Sequence, residues 1–234
     1  MFQLLQNSHI KKFNMAQINK STLEFLKGLK YNNNREWFLN NQSAYKDAKN
    51  NFESFVQDVI NGITLFDPIM KGLEVKSCVY RINRDIRFSN DKTLYKSHLG
   101  AFIVRGGKKN GDKFAGYYFH IEPGNCMIAG GSYMPPSPWL NAIRENISEE
   151  PVKFLNIISE KSFVKYFGQL EGEKLKSAPK GYKADHPLID HLKFKSYLVT
   201  NEVSDEAVLE PGFINHVISV CKAMKPLNDF LSNY

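Results

Sequence analysis

Gly116-Tyr117-Tyr118-Phe119-His120-Ile121-Glu122-Pro123-Gly124-Asn125-Cys126-Met127-Ile128-Ala129-Gly130-Gly131-Ser132-Tyr133 is the stretch that decides the fold. Two runs of aromatic and aliphatic residues flank Glu122-Pro123-Gly124-Asn125, a tight turn. Such runs joined by a turn of this kind read as a β-hairpin, and a local hairpin is an antiparallel pair. Upstream, residues 98–105 have the same texture, and Gly106-Gly107 through Gly111 joins them to the hairpin as a long basic loop. Residues 78–83 read as one more strand, so four strands follow one another.

Away from this core the pattern becomes helical. Phe38, Tyr45, Ala48, Phe52, Phe55, Val59 and Ile63 recur at steps of three, four or seven and trace one stripe. That spacing predicts a single long helix from Arg35 to Ile63, with Asn32-Asn33-Asn34 supplying a cap and Asp67-Pro68 blocking its continuation. Ser21 and Glu24 form a capping box ahead of Leu23, Leu26 and Leu29. After the sheet, Ser137-Pro138 and Pro151 open helices, Asp185-His186-Pro187 opens a short one, residues 196–200 read as a strand, Ser204 caps a turn, and Pro211 precedes a last helix. The expected fold class is α+β: a central, mainly antiparallel sheet of about four to five strands with helices N-terminal and C-terminal to it. Residues 1–18 are expected to be a flexible N-terminal extension and residues 19–232 a single domain.

The 234 residues are 42% hydrophobic and 13% aromatic, enough for a real core. Cys78, Cys126 and Cys221 are odd in number and far apart, which leaves no disulfide framework and no Cys-x-x-Cys site, and a reducing cytoplasm fits. The N-terminus has no basic stretch before an apolar run, and no 18-residue apolar segment exists, so neither a secretory signal nor a membrane partner is expected. Residues 71–113 hold eleven bases against four acids, a net of +7 that equals the charge of the entire chain, so the other 191 residues balance at 20 of each sign. One basic segment in a neutral body draws an anion to one place.

Within that segment Arg81, Arg84, Arg87, Lys92 and Lys96 are candidate ligand-binding residues, because a guanidinium fork matches carboxylate or phosphate. Strand alternation sends Arg81 and Arg84 to opposite faces, so at least one is partly buried. His120 and Glu122 share a strand face. If Val104 pairs near Gly116, paired residue numbers sum to about 220, which sets His98 opposite Glu122. His98, His120 and Glu122 are therefore the candidate catalytic residues. Two imidazoles and a carboxylate suit acid-base work, and a divalent metal is a less expected use of them. No cofactor is expected. Gly106-Gly107-Lys108-Lys109 lacks the spacing of a phosphate loop, and Gly-x-Ser-x-Gly and His-Glu-x-x-His patterns are absent.

Several segments also form a collinear set: Asn33-Asn34-Arg35-Glu36-Trp37-Phe38, residues 80–89 with Asp91-Lys92-Thr93 and Tyr95-Lys96-Ser97-His98, residues 116–124, residues 170–176, Pro179-Lys180-Gly181-Tyr182 and Asp185-His186-Pro187. Through them the chain, over roughly residues 19–232, resembles the bacterial family known as domain of unknown function 2461. The resemblance implies a single domain and a cytoplasmic bacterial-type protein, and brings no activity, substrate or catalytic residue with it. From the residues themselves the leading reading is a site for a small anionic ligand. The alternatives are a nucleic-acid binder that uses the 106–113 hairpin as an arm with Tyr117, Tyr118 or Phe119 for stacking, or a protein-interaction module docking an acidic partner.

Overall fold

In the computed structural model, residues 16–87 and 90–232 are described, and among them the chain is α+β. The helices are α1 (Lys20–Tyr31), α2 (Arg35–Asn40), α3 (Gln42–Thr64), α4 (Val75–Cys78), α5 (Ser137–Glu149), α6 (Pro151–Ser159), α7 (Lys161–Phe167), α8 (Ile189–Leu192), α9 (Asp205–Leu209) and α10 (Phe213–Ser232). The strands β1 (Leu99–Ile103), β2 (Gly116–Ile121), β3 (Cys126–Ser132) and β4 (Tyr197–Val203) form one antiparallel sheet in that order. Leu99 pairs with Ile121 and Ile103 with Tyr117, the register that the 104–116 pairing requires.

Alternation gives the sheet two unlike faces. Tyr117, Phe119 and Ile121 of β2, with Ile128 of β3 and Val199 of β4, are buried against the helices. The Phe119 ring stacks on Phe52 and Phe55 of α3 at 5.8 and 5.2 Å between centroids. Phe213 of α10 approaches the same ring at 6.1 Å. The other face, with Phe102, Tyr118, Met127, Ala129, Leu198 and Thr200, is half-buried and carries no helix layer among the described residues. A functional site therefore has one side of the sheet open to it.

β3 ends where two glycines are required. A Cβ on Gly130 would collide with the Met224 sulfur of α10, and Gly131 has φ +104° and a Cβ there would collide with the Tyr197 carbonyl oxygen of β4. Close packing accounts for both, as the Gly-Gly pair suggests. Gly131→Ala adds a strained backbone to a backbone collision and is expected to cost about 3 kcal/mol; the urea midpoint of the purified variant reads it.

Three local expectations are corrected. The single helix over residues 35–63 is two helices, because the Asn41 amide and its own backbone N–H both donate to the Trp37 carbonyl, at 2.8 and 3.0 Å, and Asn41 leaves helical geometry. The Ser21–Glu24 capping box does not form: α1 begins at Lys20, and the Asn51 side-chain oxygen of α3 accepts from the Asn19 N–H and the Thr22 hydroxyl at 2.9 and 2.8 Å. Residues 78–83 are not a strand. After α4 they make single bridges, Val79 to Ala101 and Asn83 to Tyr95. On the outer edge the Asn33 amide takes both the N–H and the C=O of Tyr95, at 3.0 and 2.9 Å, where a further strand would pair. Phe38 stacks on the Tyr95 ring at 4.0 Å, and Asn34 caps α2 by accepting from the Trp37 N–H. Structural work thus absorbs Asn33, Asn34, Phe38 and Tyr95.

The first fifteen residues of the expected 1–18 extension lie outside the described residues. Ile18 is buried, and the Ala16 N–H donates to Asp58 at 2.7 Å.

Candidate functional site

β2 places Tyr118 and His120 on the open face at a two-residue step, and Glu122 follows at the strand end. The β1–β2 register brings His98, the residue before β1, across to them. The His98 and His120 rings lie 4.3 Å apart. One ligand atom from each of His98, His120 and Glu122 falls within 4.8 Å of the others, and among the described residues this is the one group of three such side chains so placed.

The cluster is braced from outside. Tyr118 Oη and His120 Nδ1 are 2.8 Å apart, and His120 Nε2 lies 3.3 Å from Glu122 Oε2. The Ser97 hydroxyl donates to Glu122 Oε1 at 2.5 Å, and the Asn125 amide donates to Oε2 at 3.0 Å. Burial alone would raise the Glu122 pKa, but the bonds from Ser97, Asn125 and His120 outweigh it and hold the carboxyl at about 2. Burial, then the neighbouring His120, lowers His98 to about 4, with Lys96 and Arg84 adding to the effect against Glu122. Burial lowers His120 as well, partly offset by Glu122. Tyr118 is pushed up to about 12 by burial, with Tyr80 and Glu122 adding to it. At neutral pH the group consists of two neutral imidazoles, a carboxylate and an intact phenol.

Two concavities meet at His98. One, of about 710 Å³, has the open sheet face as its floor and includes Tyr80, Lys96, His98, Phe102 and Tyr118, with Lys108 on its wall. The other, of about 390 Å³, is lined by Arg84, Asp85, Lys96, Ser97 and His98. Lys96 belongs to both. Its ammonium sits 5.1 Å from the centre of the Tyr80 ring, half-buried, and pairs with no carboxylate among the described residues. Burial first, then the charges of Arg81 and Arg84, hold its pKa below the usual lysine value.

The other bases named from sequence are placed differently. Arg84, half-buried, donates to Thr93 Oγ1 at 2.9 Å and pairs with Asp91 at 2.5 Å. Arg87 is exposed and grips Asp85 through two bonds of 2.9 and 2.6 Å. Lys92 is exposed and donates to the Ile86 carbonyl at 3.2 Å. Arg81 is exposed. The structure therefore joins His98, His120, Glu122, Lys96 and Arg84, with Arg81 near Lys96, and leaves Arg87 and Lys92 to one side.

The features proposed for nucleic acid are corrected. Tyr117 and Phe119 are 1% and 2% exposed on the helix-packed face, so they offer no stacking surface and Tyr118 alone faces the cleft. The 106–113 segment is a folded wall and not an arm: it includes a short 3-10 turn, and Lys108 Nζ donates to the Lys76 carbonyl at 2.9 Å.

Sequence reasoning missed Tyr118, Ser97 and Asn125 as partners of the cluster. Tyr118 carried a signal, since it stands two residues before His120 on the same strand. Asn125 carried a weaker one at the end of the turn, while Ser97 reaches Glu122 only through the register.

Residues 21–230 match a family described as conserved hypothetical protein (DUF2461). No curated protein and no solved structure matches the chain. No helix among the described residues is long and apolar enough to cross a membrane.

Proposed function

The chain belongs to the conserved hypothetical protein family DUF2461, whose description names no activity, and from its geometry we propose that the open sheet face binds a small anionic ligand bearing a phosphate or carboxylate. Lys96 carries this reading: a half-buried ammonium that pairs with no carboxylate among the described residues, close to Arg81 and Arg84, is an arrangement of like charges that an anion relieves. Arg84 lines the same concavity, where its guanidinium, already shared with Asp91 and Thr93, keeps further N–H donors for an oxyanion, and the exposed Arg81 adds its charge. Arg87 and Lys92, spent on Asp85 and Ile86, contribute field only. Tyr80, Phe102 and Tyr118 give the ligand's remainder an aromatic wall. His98, which borders both concavities, with His120 and Glu122 beside it, forms the reacting end of this reading: the cluster moves a proton through a water that it holds.

Thermal-shift and calorimetric titration with inorganic phosphate, phenyl phosphate and small carboxylates at physiological salt tests it. An anion at one hundred times its Kd is expected to raise Tm by about 5 °C, and Arg84→Ala is expected to weaken binding at least tenfold. No shift with any of these anions, or an equal shift in Arg84→Ala, would overturn the proposal.

A further inference from the structure

We infer that His98, His120 and Glu122 are the ligands of a mononuclear centre for a divalent first-row transition ion. The inference rests on the reading that this cluster is the reacting end of the anion cleft, and it names what acts there.

Ligand atoms bound to one such ion at about 2.1 Å lie roughly 3 to 4 Å from one another. His120 Nε2 and Glu122 Oε2, at 3.3 Å, already have that spacing. The third ligand atom, from His98, is within 4.8 Å of both, a gap that rotation of one half-buried side chain closes. Neither His98 ring nitrogen has a hydrogen-bond partner among the described residues, although the ring is packed against a second imidazole 4.3 Å away. A coordinate bond satisfies that ring without moving the sheet.

The surroundings of the cluster are those that metal ligands receive. Tyr118 Oη lies 2.8 Å from His120 Nδ1, so with a cation bound at Nε2 the ring proton sits on Nδ1 and is donated to Tyr118. A cation between Nε2 and Oε2 occupies the position a proton otherwise fills. Ser97 and Asn125 fix the two Glu122 oxygens from outside. Two imidazoles and one carboxylate favour zinc, iron, manganese or cobalt over magnesium or calcium, which prefer oxygen ligands. Three protein ligands leave coordination positions open. Of the three ligands His98 borders both concavities, Lys96 lines both with it and Arg84 lines the smaller, so an oxyanion held there lies near the ion and the bases together.

The full-length protein, stripped with chelator and dialysed, is titrated with Zn2+ and Mn2+ by calorimetry, and loaded with Co2+ for visible spectroscopy. One ion per chain is expected, with Co2+ absorption bands characteristic of mixed nitrogen and oxygen coordination. His98→Ala and Glu122→Gln are each expected to weaken binding at least tenfold while far-UV circular dichroism stays native. His98 is the safer of the two, being half-buried and without hydrogen bonds among the described residues. Tyr118→Phe is expected to weaken binding while preserving the spectrum, as an outer partner should. Arg84→Ala is expected to keep the ion while losing phosphate, which separates this inference from the anion reading. Failure of the wild-type protein to hold any of the three ions, or wild-type affinity in His98→Ala and Glu122→Gln, would overturn it.

Discussion

Phe119→Ala is expected to lower the stability of the fold by about 4 kcal/mol, within the usual range for deleting a buried phenyl group. The ring is 2% exposed and is shared by Phe52, Phe55 and Phe213, so α3, α10 and β2 meet on it. Three rings on two helices cannot all close on the space left behind, which places the cost well above the lost transfer energy. Phe119 also stands between Tyr118 and His120, whose side chains leave by the opposite face. The cavity therefore opens directly beneath the cluster. Equilibrium urea unfolding checks the expectation, and Phe119→Leu should lose much less because it refills part of the volume. A loss under about 1 kcal/mol for the alanine variant would mean that the helix layer does not rest on this ring.

The sheet was legible because its information is local. Pro123-Gly124 forces a turn between two apolar runs, and alternation then fixes which face each side chain takes. One further pairing, Val104 near Gly116, put His98 beside Glu122 across a loop, and the structure has that register. What could not be read depends on contacts between distant segments. Asn33 takes the N–H and C=O of Tyr95, yet it is 62 residues from Tyr95 in the chain. Asn51 serves the start of α1 from another helix. The seven-residue α7 was missed because its cap is the glutamate Glu160, whose carboxylate accepts from the backbone of Ser162 and Phe163. The basic cluster divides in the same way. Asp85 lies two residues from Arg87, so sequence could suggest their pairing, but the nearness of Lys96 to Arg81 and Arg84 follows only from the fold.

That nearness makes Lys96→Met the sharpest test of function, because stability and binding are expected to move in opposite directions. Methionine keeps the apolar stem over the Tyr80 ring while removing a half-buried charge that stands near Arg81 and Arg84 and pairs with no carboxylate among the described residues. A lysine serving structure would destabilise the fold when lost, as half of an ion pair does. Here relief of desolvation and like-charge repulsion should leave the unfolding midpoint unchanged or raise it. A hydrogen bond to a charged group is worth about 1.5–3 kcal/mol, so affinity for phenyl phosphate should fall by about tenfold to a hundredfold, and its salt dependence should flatten with one charge gone. Lys96→Arg should retain most of the affinity, and Lys222→Met, an exposed site on α10, should match the wild type in both measurements. Calorimetry and urea unfolding on the same four proteins give the answer. Loss of stability with unchanged binding would mark Lys96 as a packing residue and remove the anion from the cleft; the reverse pair of results would make an unpartnered charge, maintained at a cost to the fold, the signature of the ligand that completes it.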